Sequence, residues 1–162
     1  MPRPRARLAA LTAAAALLVT ACSGADEVAT GQSSEPEAVD AATAVVYKSP
    51  TCDCCARHAA HLEASGFDVE LVTVEDPRSV KDAEGVPAEV ESCHTTVVGG
   101  YAVEGHVPAA SIERLLAERP DSDGIGLAGM PAGSPGMGGS KSEPWDIQAF
   151  ADGEVTGTFE TR

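Results

Sequence analysis

Three cysteines stand within four residues, Cys52, Cys54 and Cys55, and a fourth, Cys93, stands beside His94 about 40 residues later. Thiolate sulfur is a soft donor that selects copper(I), zinc or iron–sulfur clusters over hard cations, and copper ranks above zinc for a given site. Thiolates also bridge metals, so three closely spaced ones favour a multinuclear copper(I) cluster over one tetrahedral ion. Zinc is the secondary alternative. Outside the cytoplasm an even number of cysteines usually forms structural disulfides. Here the spacing resists that use, because adjacent Cys54 and Cys55 pair with each other only under strain. Cys52 and Cys55 do stand in C-x-x-C spacing, the pattern of a thiol–disulfide oxidoreductase. Against it, Cys54 puts a third thiol inside the motif and would divert the disulfide into scrambled pairs.

Imidazole and thioether could complete the donor set. His94 adjoins Cys93, as a ligand or a support for one. His58 and His61 follow Cys54 by four and seven residues on one helical stripe; a surface role is the ordinary reading of His58 and is evenly matched with ligation for His61. His106, in Glu104-Gly105-His106, serves a turn or a metal. Met130 and Met137 stand in a glycine-rich stretch without an amphipathic pattern, where copper(I) ligation competes with gap-filling. The candidate metal set is therefore Cys52, Cys54, Cys55, Cys93, His94, His61, His106, Met130 and Met137.

These residues need elements to bring them together. Thr43 to Lys48 is a β-branched run ended by Ser49-Pro50, which predicts a strand. A helix follows from Cys54 to about Ser65, with Asp53 as N-cap, Gly66 as left-handed stop, and Cys55, Ala59 and Leu62 on its apolar stripe. Phe67 to Val74 predicts a second strand with Phe67, Val69 and Leu71 facing inward. Asp76-Pro77 opens a short helix to about Glu84. Thr95 to Val98 and Tyr101 to Val103 flank Gly99-Gly100, a two-residue hairpin signal. Pro108 starts a helix with Ile112, Leu115 and Leu116 on one face, stopping before Pro120. The order β-α-β-α-β-β-α is that of an α/β, thioredoxin-like fold. Asp121 to Pro144 should be a Gly/Pro-rich loop or wrap, and Asp152-Gly153 should join a small terminal hairpin. In this order the loop after the first strand and the residues before the third meet at the N-terminus of the first helix, whose positive end lowers thiol pKa values.

Residues 1–21 run from Arg3, Arg5 and Arg7 into the apolar stretch Leu8 to Val19, too short for a permanent span, and read as a signal peptide. Val19-Thr20-Ala21-Cys22 resembles a lipobox, which makes Cys22 the lipidation site and the membrane a partner through acyl chains. Residues 22–42 are acidic, lack an aromatic and cannot offset their ordering entropy, which predicts a disordered tether. Residues 43–162 then form one domain. Removing residues 1–21 takes away three arginines and no acid, moving the net charge from −14 to −17. Such a polyanion repels phosphate backbones and excludes nucleic acid as a partner. Hydrolase chemistry is unsupported, since no serine or carboxylate pair is usefully spaced from a histidine.

The stretches YKSPTCDCC, ESCHTTVVGGYAVEGHVPAASIERLL and GLAGMPAGSPGM resemble the bacterial copper-resistance proteins called CopG, over about Ala44 to Phe159. The resemblance implies a thioredoxin-like fold, an extracytoplasmic location, and copper held by the C-x-C-C motif and the later Ser-Cys-His, here Cys52, Cys54, Cys55, Cys93 and His94. It also implies a redox role that interconverts copper(I) and copper(II), so a metal-binding protein is the first expectation and a copper oxidoreductase the second; a copper-transport or chaperone protein is the expected protein partner. Two positions depart from the family pattern. His58 stands where tryptophan is expected, and Asp53 where glycine is common.

Overall fold

The computed structural model describes residues 43–162, so the signal segment, Cys22 and the tether lie outside the described residues. The elements are β1 (Ala44–Lys48), α1 (Asp53–Ala64), β2 (Val69–Thr73), α2 (Arg78–Ala83), a 3₁₀ turn (Ala88–Val90), β3 (His94–Val98), β4 (Tyr101–Glu104), α3 (Ala109–Glu118), β5 (Gly124–Gly126), β6 (Asp146–Ala151) and β7 (Glu154–Thr161). All seven strands join one sheet in the order β2-β1-β3-β4-β5-β6-β7. β1 runs parallel to β2, as the α1 crossover requires, and antiparallel to β3; β3 and β4 form the hairpin turned by Gly99-Gly100. The expected thioredoxin-like α/β order is present.

Burial explains the elements. Leu62 of α1, Ile112 and Leu115 of α3, Val46 of β1, Val103 of β4, Ile125 of β5 and Ile147 of β6 are fully buried in one core cluster. Each such side chain contributes about 1.5–3 kcal/mol relative to exposure. α3 ends on Arg119 in the left-handed region, immediately before Pro120.

Three local expectations need correction. The N-cap of α1 is Cys52, whose Sγ accepts the Cys55 N–H at 3.3 Å, in place of Asp53. Leu71 is 44% exposed, because β2 is an edge strand of the sheet. The stretch from Asp121 contains a strand, β5, which runs parallel to β4. Its glycines disguise it: a side chain at Gly124 would place a Cβ 1.9 Å from the carbonyl oxygen of Ala102, so only glycine allows this approach. The expected terminal hairpin is present as β6–β7, and β5 pairs with β6 and carries it into the main sheet.

Candidate metal centre

Strand register brings the chemistry together. Lys48, the last residue of β1, pairs with His94, the first of β3, while Thr95 pairs with Glu104, the last of β4. The chain leaving β1 toward α1, the chain entering β3 and the chain leaving β4 therefore meet at one end of the sheet. They carry Cys52, Cys54 and Cys55; Cys93 and His94; and His106.

The four sulfurs lie within 4.8 Å of one another. Cys52 Sγ is 3.3 Å from Cys54 Sγ, Cys54 Sγ is 3.8 Å from Cys93 Sγ, and Cys55 Sγ is 3.5 Å from Cys93 Sγ. A tetrahedral ion with metal–sulfur bonds near 2.3 Å sets its sulfurs about 3.8 Å apart, which the separation of Cys54 and Cys93 matches. Cys52 and Cys55 are joined as a disulfide, with Cα atoms 5.5 Å apart, while Cys54 and Cys93 are free. The first turn of the helix sets C-x-x-C at bridging distance, and the free Cys54 sulfur stands 3.3 Å from that of Cys52. All four sulfurs become thiols only after reduction by two electrons.

Three buried histidines extend from Cys93. His58 Nε2 is 2.9 Å from the Val107 carbonyl, which can only accept, so the proton of that neutral ring sits on Nε2. His58 Nδ1 then accepts from His94 Nε2 at 3.0 Å, leaving His94 Nδ1 with a bare lone pair 3.4 Å from Cys93 Sγ. His106 Nδ1 donates to the Pro135 carbonyl at 2.7 Å, and its bare Nε2 faces the same sulfur at 3.0 Å. Two lone pairs thus converge on a sulfur that carries at most one proton, so at least one buried acceptor lacks a donor. A metal ion satisfies both nitrogens at once.

The titration states agree. Burial, chiefly, lowers the pKa of His58 to about 4, that of His94 well below the ordinary value and that of His106 below it, so all three rings are neutral at pH 7. Cys93 moves the other way, up to about 11, through burial first and the neighbouring Cys54 second. The expected helix-end lowering does not reach Cys93, which precedes β3 and is not on α1.

Among the other candidates, His61 Nε2 accepts the Ala109 N–H at 3.3 Å, which ties that nitrogen to the start of α3 and not to the sulfurs. Met130 is 53% exposed beside Gly129, whose N–H donates to the Glu91 carbonyl and whose carbonyl accepts from Ser92 Oγ. Met137 follows Gly136, which lies so close to α1 that a Cβ there would be 2.6 Å from the Cys54 carbonyl oxygen. The glycine-rich loop therefore covers the first turn of α1.

Two features escaped the sequence. His58 is fully buried, contrary to its surface assignment. A signal existed: Cys55, His58, Ala59 and Leu62 make an i, i+3, i+4, i+7 face, and all four are buried. The second is the buried ion pair of Lys81 and Glu104. Glu104 Oε1 also accepts the Ser92 N–H at 2.7 Å and Oε2 accepts from Thr95 Oγ1 at 2.7 Å, so this carboxylate grips both sides of Cys93-His94.

His58 supports the ligand orientation of His94. Replacing it with phenylalanine removes the acceptor for His94 Nε2–H and is expected to weaken metal binding about 10–100-fold. His58→Gln, which can accept from His94 and donate to Val107, should recover most of that loss. Equal affinities of His58→Phe and the natural protein in a competition titration would refute this support.

An extended thioredoxin-like sheet whose Cys/His cluster can hold metal defines the class. The family model described as "Protein of unknown function, DUF411" matches residues 90–137. Two solved structures are similar to the chain. Copper resistance protein copG, form 2, is 38% identical, with 75% of this chain and 98% of that chain covered and a TM-score of 0.69. Form 1 is 38% identical, with 74% and 96% covered and a TM-score of 0.67. No curated protein sequence matches significantly. The chain belongs to the CopG family.

Proposed function

We propose that this chain is an extracytoplasmic, lipid-anchored copper-binding protein that takes copper(I) as a multinuclear cluster on Cys52, Cys54, Cys55 and Cys93, with His94 and His106 completing the donor set. The observation that carries the reading is the convergence of two bare imidazole nitrogens and four sulfurs from three chain segments. Soft sulfur with imidazole suits copper above zinc. Its function is copper handling in resistance, including interconversion of copper(I) and copper(II), with a copper-transport or chaperone protein delivering or removing the ions. Anchorage rests on Cys22, and loss of fatty-acid labelling in Cys22→Ala tests it.

Reduced protein titrated with copper(I) against a competing chelator should bind more than one ion per chain, and a ceiling of one would overturn the cluster. Cys54→Ser should cost more copper than Met137→Leu.

The disulfide favours a second reading, thiol–disulfide exchange by Cys52 and Cys55. Turnover of a disulfide substrate by metal-free protein, abolished by Cys55→Ser, would establish it.

Proton release gives a further check. With its pKa near 11, Cys93 is a protonated thiol at pH 7 and must release its proton on binding metal. His94, held well below the ordinary 6.5 by burial, has none to release, and His106, also lowered by burial, has less to release than an ordinary histidine. Protons released per metal, measured in weakly buffered solution, should therefore rise little between pH 7 and pH 6. Ordinary histidine ligands would add an increment there.

A further inference from the structure

The sulfur and nitrogen donors fall into two groups that share one atom. The four cysteine sulfurs form one; Cys93 Sγ, His94 Nδ1 and His106 Nε2 form the other, again within 4.8 Å of one another. The Cys52–Cys55 disulfide removes two donors from the first group and none from the second. The second group is built for metal on its own. Each imidazole has its other nitrogen tied down, to His58 for His94 and to the Pro135 carbonyl for His106. All three rings of that chain are fully buried. Metal–sulfur and metal–nitrogen bonds of ordinary length set sulfur and nitrogen about 3.5 Å apart. The His94 separation of 3.4 Å meets this, and the His106 separation of 3.0 Å needs to open by roughly half an ångström.

We propose that in the disulfide form Cys93, His94 and His106 make a separate mononuclear site for a single divalent ion, copper(II) above zinc, distinct from the copper(I) cluster of the reduced form. The inference rests on the copper reading above. Its chemistry follows from the donor change: four thiolates favour the soft monovalent ion, whereas two imidazoles and one thiolate are the trigonal set of copper(II) sites. The state of Cys52 and Cys55 then decides which copper ion the protein holds.

Cobalt(II), which thiolates do not reduce, is the probe. Protein with the disulfide intact should bind one cobalt(II) per chain with a thiolate-to-metal absorption band. The Cys52→Ser/Cys55→Ser protein, which lacks the same two donors without needing a disulfide, should match it. Cys54→Ser should keep the band, and His106→Ala and Cys93→Ser should each weaken binding roughly tenfold or more. Cobalt(II) bound as tightly by His106→Ala as by the natural protein would overturn the proposal. So would failure of both disulfide-form and doubly substituted protein to bind cobalt(II) while reduced protein still binds several copper(I) ions, and the copper reading would then stand. Failure of reduced protein to bind copper(I) while disulfide-form protein binds cobalt(II) would remove the cluster and leave the mononuclear site.

Discussion

Replacing Cys93 with serine is expected to weaken copper(I) binding by several hundred-fold or more, the largest single-residue loss in the site. Apparent binding free energies of four-ligand thiolate and imidazole sites are about 10–16 kcal/mol, so one ligand accounts for about 2.5–4 kcal/mol. Cys93 exceeds that share because its sulfur belongs to both donor groups. It approaches Cys54 and Cys55 on one side and His94 and His106 on the other. Cys54→Ser leaves the imidazole side intact and His106→Ala leaves the sulfur side intact, so each should lose less. A serine hydroxyl can still donate to one of the facing nitrogens, so the metal-free fold should survive, with thermal unfolding near that of the natural protein. Copper affinity ranked with Cys93→Ser no worse than Cys54→Ser would mean that the two groups do not share a metal-bearing sulfur.

The cysteines were legible because their chemistry is written in spacing: three thiols within four residues have few uses, and the strand order places Cys93 against them. The α1 stripe and the β3–β4 turn followed from periodicity and from Gly99-Gly100. What stayed hidden depended on pairings across the fold. His58 needed Val107 and His94 as partners before burial made sense, and both are distant in sequence. β5 was concealed because the glycines that let it approach Ala102 also look like loop residues. The Cys52–Cys55 pairing, by contrast, was visible as C-x-x-C spacing, and the first turn of α1 sets the two at bridging distance. The ion pair of Lys81 and Glu104 joins α2 to β4 across the fold, and neither residue's neighbours in sequence announce it.

That last pair should show the largest effect on stability. Glu104→Leu is expected to cost about 3–5 kcal/mol, because it leaves the Lys81 ammonium buried without its counter-charge. It also strips acceptors from the Ser92 N–H and from Thr95 Oγ1. For a domain of this size the loss corresponds to a melting temperature lower by about 10–20 °C. The cost comes from the orphaned partner more than from the lost attraction, which a double substitution separates. Glu104→Leu/Lys81→Met removes both charges and should recover a large part of the stability, as replacement of buried ion pairs by apolar residues often does. Copper affinity should not recover with it, since the Ser92 N–H still lacks the carboxylate that holds the chain entering Cys93. Full recovery of both properties in the double variant would reduce Glu104 to a charge partner for Lys81; recovery of stability alone would mark it as the residue that places the shared sulfur.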